Sequence, residues 1–360
     1  MTGPAGAETT ATIQATIDGH AVSVPAGTTI LTAARDLGID IPTLCHHEAL
    51  SLAASCRLCV VEVEGRPNLL PACATELTDG MVLHTESEDV VEARRLILDL
   101  LLSDHPMACI TCEQAGACTL QEYCYRYEIE HTTFEGEKRD LPIESDNPMI
   151  ERDMNKCILC GKCVRVCQEV QVTDAIDFTE RGFESQIAGS FDHALDTSFC
   201  RFCGQCVDVC PTGAIANKQL KGVRTWDRRK VRTTCPFCGV GCNFDLNIAG
   251  DRVIGVTAAY DAPVNQGALC VKGRFHADLI TSPDRITTPL IKKNGVFEEA
   301  TWDEALSLVA TRLREIRDEQ GNLSVGVLSS ARCTNEENYL LQRLTRAGLN
   351  VNSIDHCART

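Results

Sequence analysis

Aromatic residues are scarce in this 360-residue sequence, at 5%, with only two tryptophans. No long apolar run occurs either: the longest, Leu96 to Leu102, is interrupted by Asp99 and is too short to cross a bilayer. Residues 1–14 lack a basic stretch followed by an apolar one, and the Arg pairs, Arg94-Arg95 and Arg228-Arg229, are internal. These absences argue against an integral membrane segment and against export, so a reducing cytoplasm is the expected compartment. Excess positive charge is also missing. The formal net charge is −16, and the imbalance falls in residues 1–150 while residues 151–360 balance. Such a field repels nucleic acid and suits a basic partner surface, or simply a solvated acidic face.

Cysteine is what the chain has in quantity, 22 in all. In a small secreted chain that number implies disulfides; here the chain is long and the cysteines gather at metal-ligand spacings. An apolar content of 44% over this length allows two or three domains with real cores.

The densest group is an internal repeat. Residues 157–167 read C-I-L-C-G-K-C-V-R-V-C and 200–211 read C-R-F-C-G-Q-C-V-D-V-C-P, two copies of an eleven-residue phrase offset by 43 positions and identical at seven. C-x2-C-x2-C-x3-C is the spacing of two-cluster bacterial ferredoxins, in which three thiolates of a run hold one [4Fe-4S] cube and the fourth crosses to the other. Cys157, Cys160, Cys163 and Cys210 are the expected ligands of one cube, and Cys200, Cys203, Cys206 and Cys167 of its twin. Paired C-x2-C knuckles also bind zinc, but zinc needs four ligands per site and leaves the third and fourth Cys of each run unexplained. Ile158, Leu159, Val164 and Val166, with Phe202, Val207 and Val209, are expected to wall the cubes from water.

Upstream, residues 1–10 read as a disordered leader. Alternation from Ile13, a turn at Asp18-Gly19, further alternation through Val22 and Val24, and a helical stretch ending at Gly38 predict strand, hairpin, strand and helix, the start of a β-grasp ferredoxin. Cys45, Cys56, Cys59 and Cys73 follow at C-x10-C-x2-C-x13-C. This departs from the plant-type spacing but keeps a close central pair and two flanking thiolates, as a [2Fe-2S] site needs. Val90 to Ser103 predicts an amphipathic helix with Val90, Ala93, Leu96, Ile97, Leu100 and Leu101 on one face. It delivers His105, and Cys109, Cys112 and Cys118 complete H-x3-C-x2-C-x5-C. A His at a helix end is commonly a cap; before three cysteines at this spacing it can be a neutral fourth ligand that favours cluster reduction. Cys124 is left over with no ligand role. Residues 134–147 read as a polar linker marked by Pro142 and Pro148.

Beyond a basic connector, Cys235, Cys238 and Cys242 stand in C-P-F-C-G-V-G-C, and Cys270 in C-V-K-G-R. Gly239 and Gly241 are expected to let the backbone approach a cluster and aim N–H groups at it. Alone this set also fits a zinc ribbon. From Pro289 the pattern changes to capping boxes at Thr301/Glu304 and Thr334/Glu337, a helix to Ile316, and strands at 324–330 and 351–354: the start of an α/β parallel-sheet domain.

The order of these motifs resembles the alpha subunit of cytoplasmic NAD-dependent formate dehydrogenases along nearly the whole chain, including C-P-F-C-G-V-G-C, C-V-K-G-R-F, T-N-E-E-N-Y-L-L-Q-R-L and D-H-C-A-R. The resemblance implies an α+β multidomain protein. Its parts would be a leader (1–10), a [2Fe-2S] β-grasp ferredoxin (11–88), a one-His-three-Cys [4Fe-4S] segment (89–147), a two-cluster ferredoxin (148–222), a small [4Fe-4S] domain (228–284) and an incomplete molybdopterin-binding α/β domain (285–360). It implies one [2Fe-2S] and four [4Fe-4S] clusters, and molybdopterin guanine dinucleotide with Mo or W in the complete protein. Formate would give up a hydride at that metal, and electrons would leave through the clusters to a flavin- and NAD-binding diaphorase-type subunit. Lys272 would lie between the Cys270 cluster and a pterin. The repeat then bridges the Cys235 set on the donor side and the His105 and Cys45 sets on the acceptor side. The family's catalytic Cys or selenocysteine would be residue 361, just after Thr360, so no catalytic ligand is expected in the chain, and termination at a UGA codon read as selenocysteine is one explanation. The large cluster subunit of NADH:quinone oxidoreductases and iron-only hydrogenases share the first clusters. The second complete run is expected to separate this chain from the former, and C-P-F-C-G-V-G-C from the latter.

Overall fold

The computed structural model describes residues 11–189, 191, 194–195 and 197–357, so the expected leader and the last three residues, Ala358 to Thr360, lie outside the described residues. The chain divides into two compact units, Met1–Arg228 and Arg229–Thr360. Among the described residues no helix is long and apolar enough to cross a membrane.

The first unit begins with β1 (Thr12–Ile17) and β2 (His20–Pro25), joined by left-handed Asp18 (φ 48°) and Gly19 (φ 81°). Two successive positive φ values match the twist of a hairpin, which is why Asp-Gly stands there. Helix α1 (Ile30–Asp36) is capped by the Thr29 hydroxyl and buries Ile30, Leu31, Ala33 and Ala34. With β3 (Val60–Val63), β4 (Leu70–Pro71) and β5 (Met81–His84), the sheet order is β2-β1-β5-β3-β4, and only the β1–β5 pair is parallel. The core of Ile17, Val22, Val24, Ile30, Val61 and Leu83 lies between sheet and helix.

Helix α2 (Glu88–Asp104) buries Val90, Arg94, Leu98 and Leu102, whereas Leu96 and Leu100 are exposed. The expected apolar face is therefore rotated. The cause is Arg94, fully buried because its guanidinium donates to Glu86 (2.8 Å), to the Tyr127 hydroxyl (2.8 Å) and to the Val60 carbonyl (2.9 Å). A charge satisfied in this way occupies a core position that an apolar pattern does not mark. Helix α3 (Thr119–Arg126) packs against α2.

The repeat is framed by two hairpin-like pairs. β6 (Ile150–Arg152) pairs antiparallel with β9 (Ile215–Asn217), and β7 (Ile176–Thr179) with β8 (Gln186–Gly189). Helices α4 (Lys162–Arg165) and α5 (Gln205–Val209) lie between. Residues 134–147 form no regular element but are tied down. Arg139 pairs with Asp104, the Leu141 amide donates to Asn155, and Glu144 forms an antiparallel bridge with Arg152.

In the second unit, β10 (Arg229–Thr234), β11 (Asn243–Ala249) and β12 (Arg252–Ala258) make an antiparallel meander, so part of the basic connector is an edge strand. Helix α6 (Val271–Phe275) follows Cys270, and β13 (Leu290–Lys293) pairs with β14 (Val296–Glu299). Helix α7 (Trp302–Gln320) and α8 (Asn335–Arg343) both start at complete capping boxes, and β15 (Val327–Ser330) pairs in parallel with β16 (Ile354–Cys357).

Candidate iron-sulfur centres

The two cysteine runs fold alike. Leu159 (φ 52°) and Phe202 (φ 51°) are left-handed, as are Gly161 (φ 69°) and Gly204 (φ 71°). Non-glycine residues rarely adopt this region, and doing so at matched positions is the kind of backbone constraint that collects at functional sites. It turns the chain so that the Leu159 amide donates to Cys157 Sγ and the Phe202 amide to Cys200 Sγ, each at 3.4 Å. Each glycine then opens a short helix carrying the next cysteine, Cys163 on α4 or Cys206 on α5.

The last cysteine of each run crosses over. One hollow is lined by Cys157, Cys160, Cys163 and Cys210, and another by Cys167, Cys200, Cys203 and Cys206. Met154, Ile158, Ile187 and Ile215 wall the first; Ile150, Val166, Ala175 and Ile176 wall the second. Of the expected wall residues only Ile158 and Val166 serve; Leu159, Val164, Phe202, Val207 and Val209 do not line either hollow, because the strands fill that role. Burial pushes the Cys160 thiol up to about 12 and raises Cys157, Cys163, Cys200 and Cys206. Buried thiols become thiolates when a metal supplies the opposing charge, so four sulfurs around one hollow fit an iron-sulfur cluster.

His105 caps α2 in extended conformation. Its Nδ1 is buried with no hydrogen-bond partner among the described residues, and burial, with the Lys156 charge, draws the imidazole down to about 4. A neutral ring with an orphaned nitrogen is what a ligand position requires. Cys118, pushed up to about 11 by burial, faces Cys112 and Cys109, and Lys156 faces both His105 and Cys112. Cys118 Sγ lies 3.6 Å from the Pro211 carbonyl, and a Cβ added at Gly213 would stand 2.9 Å from Cys112 Sγ. The His105 set therefore adjoins the chain just after Cys210. Cys124 is buried in the apolar cluster of Leu44, Leu58, Leu98, Leu102, Leu120 and Tyr127.

Cys45, Cys59 and Cys73 are buried and Cys56 half-buried. The Cys56 thiol donates to Cys45, drawing it down to about 4, and Cys73 donates to Cys59, drawing it to about 7. The Cys56 amide also points at Cys45 Sγ, at 3.5 Å, between left-handed Ala54 and Arg57. Arg165 of α4 donates to the Cys45 carbonyl at 2.6 Å and to that of Ser51, while the Ser51 amide donates to Glu169 at 2.7 Å. These contacts seat the Cys45 loop on the helix between Cys163 and Cys167. Nothing in the spacing signalled Arg165, Lys156 or Gly213.

In the second unit the Cys235 amide donates to the Cys242 carbonyl at 2.8 Å, and Cys242 faces Cys235, Cys238 and Cys270. The Gly239 amide donates to the Ala331 carbonyl and the Gly241 amide to the Cys238 carbonyl, so neither aims at sulfur. Gly239 is needed because a Cβ there would meet the Ala331 oxygen at 2.6 Å. Lys272 is exposed on α6.

Family models match in succession. A 2Fe-2S iron-sulfur cluster binding domain covers residues 10–88, and an NADH-ubiquinone oxidoreductase-G iron-sulfur binding region covers 94–133. The ferredoxin-like domain of NADH-quinone oxidoreductase subunit 3 matches 147–216, a molybdopterin oxidoreductase Fe4S4 domain 228–282, and molybdopterin oxidoreductase 285–360. The chain carries the iron-sulfur N-terminal region of an NADH-G-type molybdopterin oxidoreductase. This iron-sulfur region is 38% identical over 353 residues to a G-type NADH-quinone oxidoreductase subunit of Rhizobium meliloti, and 39% over 349 residues to the NADPH-Fe(3+) oxidoreductase subunit alpha of Geobacter sulfurreducens. It is 34% identical over 390 residues to a putative formate dehydrogenase of Bacillus subtilis. Each match covers 96% of this chain, and the chain spans about 40% of the length of these curated relatives. A chain of an NAD+-reducing [NiFe]-hydrogenase crystal structure aligns with a TM-score of 0.54 and 31% identity, over 58% of this chain and 88% of that one. The expected fold class of ferredoxin, Fe4S4 and molybdopterin oxidoreductase domains is what these matches carry. The match to the subunit 3 ferredoxin-like domain extends over the residues of both cysteine runs.

Proposed function

We propose that this iron-sulfur region is the electron-relay portion of an NAD-linked formate dehydrogenase alpha subunit. Cys45, Cys56, Cys59 and Cys73 would hold a [2Fe-2S] cluster. Four [4Fe-4S] clusters would be held by His105 with Cys109, Cys112 and Cys118; by Cys157, Cys160, Cys163 and Cys210; by Cys167, Cys200, Cys203 and Cys206; and by Cys235, Cys238, Cys242 and Cys270. When bound, the clusters would supply one-electron carriers. The chain's own part is to wall sulfur sites from water, to keep the His105 ring neutral, and to fix the Cys45 loop on α4 through Arg165 and Glu169. Lys272, exposed near Cys270, would ease electron passage toward a molybdopterin guanine dinucleotide carrying Mo or W. A diaphorase-type flavin and NAD subunit in the cytoplasm is the proposed acceptor.

The observation that most supports a relay is the exchange of fourth cysteines between two matched hollows. A second reading, a relay subunit of the NADH:quinone oxidoreductase kind, is favoured by the matches of residues 94–133 and 147–216 and by the Rhizobium meliloti relative. Anaerobic addition of formate to the isolated full-length protein separates the two. Bleaching of the visible cluster absorbance without any other subunit supports the formate reading. No bleaching with formate, but bleaching with NADH once a flavin subunit is added, supports the second.

A further inference from the structure

Arg94, Arg152 and Arg274 are the largest fully buried side chains among the described residues. A buried guanidinium is expensive unless paired and hydrogen-bonded, and Arg94 meets that condition through Glu86, Tyr127 and Val60. Arg152 meets it with two acceptors rather than three. Its one carboxylate partner is Glu144 at 2.8 Å, and, as in Arg94, its Nε has no partner among the described residues. Its remaining contact is donation from Nη2 to the Ile187 carbonyl.

This charge stands between the two halves of the repeat. On β6, Arg152 lies across from Ile215 of β9, and Ile215 and Ile187 wall the hollow of Cys157, Cys160, Cys163 and Cys210. Two residues earlier on the same strand, and so on the same face, Ile150 walls the hollow of Cys167, Cys200, Cys203 and Cys206. A single guanidinium therefore stands beside wall residues of both hollows: Ile215 and Ile187 of the first, Ile150 of the second.

We propose that Arg152 is the shared counter-charge of the two clusters these hollows would hold, raising both reduction potentials together. The inference rests on the ligand assignment above. A cluster on four thiolates gains one negative charge when it takes up one electron, and a fixed cation in a water-poor site stabilises the more negative form more. Glu144 offsets part of that cation. Removing Arg152 and removing Glu144 must then act in opposite directions, which a purely structural role would not produce.

The test is anaerobic EPR-monitored titration of the reconstituted full chain as Arg152→Met, Arg152→Lys and Glu144→Gln. Arg152→Met is expected to lower the ratio of reduced to oxidised cluster at fixed potential at both sites by on the order of tenfold, which is 59 mV for a one-electron couple. Arg152→Lys retains the wild-type ratio, Glu144→Gln raises it at both sites, and the [2Fe-2S] signal is unmoved. If Arg152→Met fails to hold iron, Glu144→Gln decides by the sign of its shift. Iron and sulfide retained, with shifts absent or of one sign in both variants, overturns the counter-charge and leaves the ligand assignment standing. Zinc in place of iron and sulfide overturns both.

Discussion

Cys118 and Cys124 sit at the two ends of α3, yet their surroundings differ. Cys118 faces Cys109 and Cys112 and lies against Pro211, whereas Cys124 is enclosed by leucines and Tyr127. Cys118→Ala is expected to lose the iron of one [4Fe-4S] cluster; Cys124→Ala keeps all iron and costs about 1 kcal/mol, the scale of a small core truncation. Iron and sulfide analysis beside thermal unfolding checks the pair. At His105 burial depresses the imidazole to about 4 from an ordinary 6.5. The unfolded chain therefore takes up the proton first, so the stability gained from a neutral buried ring is fully present above about 6.5 and is lost as pH falls toward 4. The stability difference between the iron-free forms of wild type and His105→Gln should be constant from pH 8 to 6.5 and shrink below it. A difference unchanged down to pH 4 would mean the ring is not held neutral. The cysteine spacings alone named these residues, because ligand spacing is local. Arg152 and Lys156 were illegible, since what makes them matter is a long-range approach to sulfurs on other segments.

Helix α2 shows the same limit among elements. Its length was legible from its periodicity, but its buried face was not, because Arg94 takes a core position through partners on Glu86, Val60 and Tyr127. Arg94→Ala leaves the Tyr127 hydroxyl and Val60 carbonyl without their donor and is expected to cost about 3 kcal/mol, read as an earlier loss of helical circular dichroism in denaturant. The capping boxes at Thr301 and Thr334 were readable because Thr and Glu three apart form a self-contained bond set. The walls of the two sulfur hollows were legible only at Ile158 and Val166, since β6 to β9 reach them from segments before, between and after the two runs. Residues 134–147, polar and Pro-marked, looked like a linker but are stitched to α2 and β6 by Arg139 and Glu144.

For the molecule as a whole, five sulfur-rich sites distribute over two compact units, four in the first and the Cys235 set in the second. Within the first unit the sites are joined by polypeptide contacts of short range. Arg165 ties the Cys45 loop to α4, Pro211 and Gly213 bring the Cys118 and Cys112 sulfurs beside the second run, and Cys56, Cys118 and Ile158 pack on one leucine cluster. Such contiguity is what a one-electron relay needs and what a set of independent structural zinc knuckles would not. The direct measurement is iron, sulfide and zinc content of the anaerobically prepared chain, with EPR of its reduced form. A relay of one [2Fe-2S] and four [4Fe-4S] clusters requires about 18 iron atoms and as many acid-labile sulfides per chain. A colourless protein holding zinc and no labile sulfide would contradict it.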